Sequence, residues 1–466
     1  MNDIHERTRP TTTVVANRLP VQWDRNVGWH RAPGGLVTAL SSLPPGTIDW
    51  IGSSATLGGP LTPHYTTGFG AIVAVEIDEA TVRGAIDGMA NRALWPALHG
   101  MASRIRDRPA YSDAYRRYNE TFTAHIARFC APGSTVWVHD YHLLLVPGLI
   151  KDLRPDVIVG LSLHTPVDDG TLSELAMSSE LASAMSRCDL IGVQTVADAD
   201  RLSAFCSPSG SEPPIVVSPV SIDPDALTPR PTPTGNGTGN DDWSRPAGRG
   251  ALIVGVDRLD YTKGILERIV AYDLAFQRGD MCPDEVHLVQ IAQPSRTALQ
   301  EYRALRVELE RVVHSLNARW LRRDHMPVLD LRIDSLDRSV VLGLLARADV
   351  AMVTPLRDGM NLVAKEFSIV AEHRGGVLVL SSSAGAAAEL GPHSILVDGA
   401  CPESVAEGLQ SALQLDRPTR LAMAQRRAST VRAWTSSDWA HCFLTRLSAQ
   451  RAQFHEPTRR TPSGTA

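Results

Sequence analysis

The sequence predicts an α/β protein of two doubly wound domains around a cleft, and three observations carry that expectation. Short apolar runs without polar alternation recur along the 466 residues, as strands buried on both faces of a parallel sheet require. Helical patterns separate these runs, which is the order of βαβ units. A stretch rich in Pro, Gly, Thr and Asn splits them into two series; it has almost nothing to bury and reads as a flexible linker.

In the first series, 12–20 (TTVVANRLP), 134–142 (STVWVHDYH), 157–166 (VIVGLSLHTP) and 189–195 (DLIGVQT) read as strands. The linker covers 229–250. In the second series, 250–258 (GALIVGVDR), 286–292 (VHLVQIA), 349–355 (DVAMVTP) and 376–381 (GVLVLS) repeat the pattern, with helices over 301–319 and 338–348. The expected domains are therefore 1–228 and 251–433. An amphipathic helix over 434–455 closes the structure, and 456–466 (EPTRRTPSGTA) reads as a disordered tail. Ligands of such sheets bind at the carboxyl ends of the strands, so residues just after each run carry most weight.

The bulk numbers exclude several classes. Apolar residues make up 43% and charged residues 21%, ordinary for a globular protein. A net charge of -5 argues against nucleic acid as a partner. Cysteines at 130, 188, 206, 282, 401 and 442 show no CxxC spacing, so neither a disulfide framework nor a zinc site is expected, and a reducing cytoplasm fits. The first residues, MNDIHERTRPTTT, lack the apolar core of a signal peptide. No window approaches the roughly 20 apolar residues of a membrane span. A cytoplasmic protein without a membrane partner is expected; a homo-oligomer stays open.

Lysine is rare here, at 151, 263 and 365 only. In 256–269 (VDRLDYTKGILERI) Arg258 and Lys263 follow a strand end, the right place for cations facing a diphosphate; a flexible ammonium reaches a phosphate where a guanidinium fork does not fit. The alternative is a surface ion pair with Asp257 or Asp260. In 353–367 (VTPLRDGMNLVAKEF) the backbone amides of Asp358, Gly359, Met360, Asn361, Leu362 and Val363 open a helix, where unpaired N–H groups and the dipole favour an anion. Glu366, further along, is a suitable carboxylate for a ribose diol. The alternative is an ordinary strand-to-helix turn.

Taken with VVANRLP…GGLVTAL, NRALWPALHG, VWVHDYHLLLVPGLI, GLSLHTP, DLIGVQT, LVQIAQPSR and SSSAGAAAEL, these segments resemble the trehalose-6-phosphate synthase family over nearly the whole chain. The resemblance implies the GT-B architecture of two facing Rossmann-like domains and a retaining glycosyltransferase using a nucleotide-sugar donor and a small polar acceptor. It implies that Arg258 and Lys263 neutralise the leaving diphosphate, that Asp358 to Val363 hold the donor sugar and diphosphate, and that Glu366 holds the ribose. Gly34 and Gly35 resemble the glycine loop that approaches donor and acceptor closely. His164 resembles the histidine that contacts the transferred sugar, and Asp140 the carboxylate near its hydroxyls. Arg18, Trp95, Tyr141 and Asp140 fall on the acceptor side. His139 and His142 beside Asp140 remain open to a packing role. Front-face displacement is implied, with orientation and fixed cations doing the catalysis and neither metal nor cofactor expected.

The acceptor side departs from the family pattern. Of four groups that hold the acceptor phosphate in the family, Arg18 and Trp95 remain. Ala85 or Ile86 stands where a Tyr is expected, and an ungapped alignment from Tyr302 puts Ser315 where a second Arg is expected, with Arg306, Arg311 and Arg319 on other turns as alternatives. Ser53 replaces a second Trp, and Asp168 and Asp169 follow His164 where Pro and Ser are usual. Two acceptors therefore compete: glucose 6-phosphate, or another polar acceptor of specialised metabolism such as a sugar, cyclitol, amino-cyclitol or nucleoside.

Overall fold

The computed structural model describes residues 11–24, 28–32, 34–56, 68–210, 212–227, 250–320 and 326–455. The expected linker (229–250), save its last residue, and the expected tail (456–466) lie outside the described residues. The chain forms two compact units. The first runs to His164, takes up Asp168–Ser218 and returns with the chain from Asp438 onward; the second holds Thr165–Val167 and Pro219–Ser437. The expected boundary at 228 is therefore corrected to Ser218/Pro219. The closing helix belongs mainly to the first unit, not to a segment of its own, because its aromatic face packs there.

Among the described residues the first unit carries a seven-stranded sheet. Its chain order is β1 (Thr12–Arg18), a hairpin of β2 (Val21–Asp24) and β3 (Gly28–Arg31), then β4 (Ile48–Ser53), β5 (Ile72–Val75), β6 (Thr135–His139), β7 (Ile158–Ser162), β8 (Leu190–Val193) and β9 (Ile215–Val217). The spatial order is β5-β4-β1-β6-β7-β8-β9, all parallel. The order reverses beside β1, the point at which open α/β sheets bind their ligands. Every residue of β4, β7 and β8 is buried, which is why these runs show no alternation. The last helix, Ser436–His455, packs on this sheet through Trp439 and Phe443. Their ring centroids lie 5.2 and 4.9 Å from that of Trp137 in β6.

The second unit carries β10 (Ala251–Arg258), β11 (Val286–Gln293), β12 (Leu329–Arg332), β13 (Val350–Val353), β14 (Val377–Ser381) and β15 (Ile395–Val397) in the order β12-β11-β10-β13-β14-β15, again parallel. The switch here lies between β10 and β13, so both loops that the sequence singles out leave the same edge. Helices Ile265–Gln277 and Pro402–Gln414 cover the sheet through Ile269, Tyr272, Phe276, Val405 and Leu409, all buried in one cluster. The helices expected over 301–319 and 338–348 are Gln300–Arg319 and Arg338–Arg347. No helix among the described residues is long and apolar enough to cross a membrane.

Candidate active site

In the first unit the expected residues gather at the carboxyl ends of β1, β6 and β7, which are neighbours. Arg18 ends β1 and is exposed; its partner in register on β4 is Ser53. The carbonyl of Arg18 accepts from Trp50 Nε1 at 2.8 Å, which fixes the turn of the chain. Asp140 follows β6 with φ 68° and ψ 174°, a combination that costs a non-glycine residue on the order of 1–3 kcal/mol. Its N–H is tied to the Ser162 carbonyl at 2.8 Å, and its Oδ1 accepts the His164 N–H at 3.4 Å. Tyr141 and Trp95 are buried, with ring centroids 5.5 Å apart. Trp95 ends a stretch, Arg83–Leu94, wound with i to i−5 hydrogen bonds, the Trp95 N–H donating to the Ala90 carbonyl. Such wide turns often mark functional positions.

The glycine loop leaves the same end of β1 through the β2–β3 hairpin, closed by the Ala32 N–H on the Pro20 carbonyl at 2.9 Å. Gly34 has φ 149° and ψ 148°, a region open in practice only to glycine. Gly35 then begins the helix Gly35–Leu40.

In the second unit Arg258 ends β10 with its side chain exposed, and the next turn buries Lys263. Lys263 Nζ lies 2.5 Å from Asp358 Oδ2, and Asn361 Nδ2 donates to the same oxygen at 3.1 Å. Asn361 caps the helix Leu362–Val370 by accepting the Ala364 N–H at 3.2 Å. Leu362 and Val363 form its first turn, so the helix's positive end opens beside Lys263. Asp358, Gly359 and Met360 lie before the helix and rest on the loop after β14. Asp358 N–H bonds the Ser383 carbonyl at 3.1 Å, and Gly385 N–H bonds the Asp358 carbonyl at 3.0 Å. A Cβ on Gly385 would come within 1.8 Å of the Gly359 carbonyl oxygen, so only glycine lets the two loops meet. Glu366 pairs with Arg338 at 2.6 Å; burial pushes its carboxyl up, against the pull of Arg338.

Buried charges that sequence reasoning left unassigned support this edge. Arg268, fully buried, bonds Asp257 at 2.6 Å, Gln290 at 2.9 Å and Thr354 at 3.0 Å, and so joins β10, β11 and the end of β13. Asp257 is thus its partner rather than a surface mate of Lys263, and burial pushes that carboxyl up. Asp260 is also fully buried. Burial alone would raise its carboxyl, but Arg296, Arg258 and Lys263 with the Thr262 N–H hold it well below the usual range. Arg357, beside Asp358, donates to the Val167 carbonyl at 2.6 Å. A row of cations beside a helix N-terminus is an anion-binding arrangement.

Glycosyltransferase family 20 matches residues 10–449. The chain belongs to that family. It is 34% identical to the trehalose-6-phosphate synthase of Mycobacterium marinum over 94% of each chain, and 33% identical to that of Mycobacterium tuberculosis over 93% of this chain and 94% of the other. Among solved structures it resembles an alpha,alpha-trehalose-phosphate synthase (UDP-forming) from Burkholderia xenovorans in complex with glucose-6-phosphate, with TM-score 0.84 and 26% identity over 94% of this chain and 100% of that one. The corresponding enzyme from Burkholderia multivorans gives TM-score 0.85 and 27% identity, over 96% and 100%. The fold is the GT-B fold of these enzymes.

Within this glycosyltransferase family 20 chain the helix Gln300–Arg319 carries the position aligned with the family's second Arg. Ser315 lies on the exposed face of Gln300–Arg319, bonded to its own helix at Arg311 O, 3.0 Å away. Arg306, Arg311 and Arg319 are likewise exposed and paired with Glu310, Glu308 and Asp273. Arg296, its side chain mostly covered, pairs with Asp260 and bonds Tyr302 Oη at 2.8 Å. It follows β11 inside LVQIAQPSR, so the strand-end rule would have found it. Asp168 Oδ1 caps Asp169–Ser173, accepting from Thr171 N at 3.0 Å and Thr171 Oγ1 at 2.8 Å.

Proposed function

We propose that the chain is a retaining hexosyltransferase that moves a glucosyl unit from a nucleoside-diphosphate glucose to glucose 6-phosphate, giving trehalose 6-phosphate. The observation that carries this is the Lys263–Asp358 pair beneath the capped helix Leu362–Val370. It sets a cation and amide dipoles where a diphosphate would leave. In this reading the donor diphosphate lies on Arg258, Lys263 and the Asp358–Val363 turn, and its ribose on Glu366. His164 and Asp140 take hydroxyls of the transferred sugar, and Gly34 and Gly35 let backbone amides approach.

Arg18, Trp95 and Tyr141 hold the acceptor. Its hydroxyl enters on the face the diphosphate leaves, and the leaving phosphate oxygen takes the proton. Fixed cations supply the charge stabilisation, so no bound cofactor is invoked, and a nucleotide-sugar donor suits the cytoplasmic location proposed here.

Incubation with UDP-, GDP- and ADP-glucose, with and without glucose 6-phosphate and with and without EDTA, tests this. Formation of α,α-linked trehalose 6-phosphate from at least one donor is expected, undiminished by EDTA. No transfer from any donor would overturn the reading.

One observation favours a second acceptor. Ser53, small and buried, sits in register beside Arg18 where the family usually has Trp, and half-buried Ile86 offers no hydroxyl. Donor turnover that another polyol stimulates more than glucose 6-phosphate does would select it.

A further inference from the structure

His139 and His164 meet behind the sugar side of the first unit. His139 ends β6, His164 lies just past β7, and His139 is in register with Ser162. His139 Nδ1 and His164 Nε2 are 3.2 Å apart. The ring planes differ by 2° and the centroids are 5.5 Å apart. That separation is the N···N distance plus one ring radius on each side, so the rings meet edge to edge in one plane, the geometry of an in-line N–H···N bond.

Such a bond carries one proton. Burial holds both imidazoles neutral: it depresses His139 first, with His164 adding to it, and depresses His164 against the pull of Asp140. The direction of the bond follows from the far side of His139. Its Nε2 is buried with no hydrogen-bond partner. The ring is flanked by Trp137 and Trp439, with centroids 4.6 and 6.3 Å away. A buried N–H without an acceptor is rarer and costlier than an unsatisfied lone pair. The hydrogen of His139 therefore sits on Nδ1.

We infer that His139 is a positioning residue: its Nδ1–H donates to His164 Nε2, which fixes His164 as the Nδ1–H tautomer and turns it into a hydrogen-bond donor toward the transferred sugar. This rests on the proposed sugar contact of His164. A donor at His164 beside the carboxylate of Asp140 suits a hydroxyl, which accepts from the first and donates to the second. A group behind a histidine that sets its tautomer is a known route to such control.

Two measurements on the full chain test this. Imidazole 15N spectra of the wild type, assigned with His139→Phe and His164→Asn, are expected to show both rings protonated at Nδ1 and bare at Nε2. A proton on His164 Nε2 would overturn the inference. In kinetics, His139→Phe keeps a ring between the two tryptophans and removes the donor. Its kcat should fall roughly 10–100-fold, the usual cost of losing a histidine's orienting partner, with the acceptor KM little changed. His139→Asn, whose amide N–H reaches the Nδ1 position, should recover most of it. A His139→Phe enzyme as active as wild type, or a loss that Asn does not relieve, would show that His139 only fills space. A wild type that transfers no sugar removes the proposed function alone, since the spectra still read the tautomer.

Discussion

Lys263 and Asp358, 95 residues apart in sequence, form an ion pair with Nζ 2.5 Å from Oδ2 and side chains only 9% and 13% exposed. The pair joins the loop after β10 to the loop after β13 across the switch point of the second sheet.

Lys263→Ala should damage two quantities that can be separated. It leaves the Asp358 carboxylate unpaired and mostly buried, at a cost of about 3 kcal/mol of stability. It also removes the proposed diphosphate cation, lowering kcat roughly 100–1000-fold. The double variant Lys263→Ala/Asp358→Asn should regain stability in urea melts and remain inactive. Recovery of activity with stability would mean that the pair serves the fold alone.

Asp140 offers the reverse test. Asp140→Gly removes the carboxylate and relieves the backbone strain at φ 68°, so the melting temperature should hold or rise while kcat/KM falls. Asp140→Asn keeps the strain and the shape. A marked loss of stability in the glycine variant would contradict the strained geometry.

Arg296 and Ser315 contrast a covered ion pair with an exposed helix position. Arg296→Ala strands fully buried Asp260 and should cost about 3–5 kcal/mol. Ser315→Ala, at an exposed position bonded only to its own helix, should change stability by less than about 0.5 kcal/mol and leave the acceptor KM as it was. A changed acceptor KM in Ser315→Ala would restore that position to the site.

The histidine pair predicts a pH dependence of stability. Both imidazoles are held below their ordinary value, near 6.5. Between the lowered folded values and about 6.5 the unfolded chain therefore binds more protons than the folded one. Stability is then complete above about pH 6.5 and declines as pH falls below it, by up to about 1.4 kcal/mol per pH unit for each histidine. Urea midpoints at pH 5, 6 and 7 should show this slope, and His139→Phe should flatten it; an unchanged slope would count against burial of the neutral pair.

The sheets were legible in most strands buried on both faces; Ile48–Ser53, buried at every residue, was missed because Asp49, Gly52 and Ser53 interrupt its apolar run. VVA, VWV, IVGL and ALIVGV are apolar throughout because helices cover both sides, and each expected run coincides with a strand of the structure. The edge strands Ile215–Val217 and Ile395–Val397 were not legible, being too short to carry a period. Arg258, Lys263 and Asp358, singled out by the strand-end pattern, lie just after strands, and so do His164 and Asp140, which the resemblance pointed to.

The amino-acid order by itself determined the fold class and put the candidate donor-side residues at strand ends, because both are written in local pattern: apolar runs, and polar groups just after them. Tertiary structure alone decided which charges pair. Asp257 belongs to Arg268, Asp260 to Arg296 and Lys263 to Asp358, pairings set by which strands lie side by side. It alone decided that Ser315 faces water while Arg296 pairs with Asp260, and that the rings of two histidines 25 residues apart meet. Separation along the chain says nothing about such contacts; they are fixed when the sheet order brings β6 beside β7 and β10 beside β13 and removes water from between them.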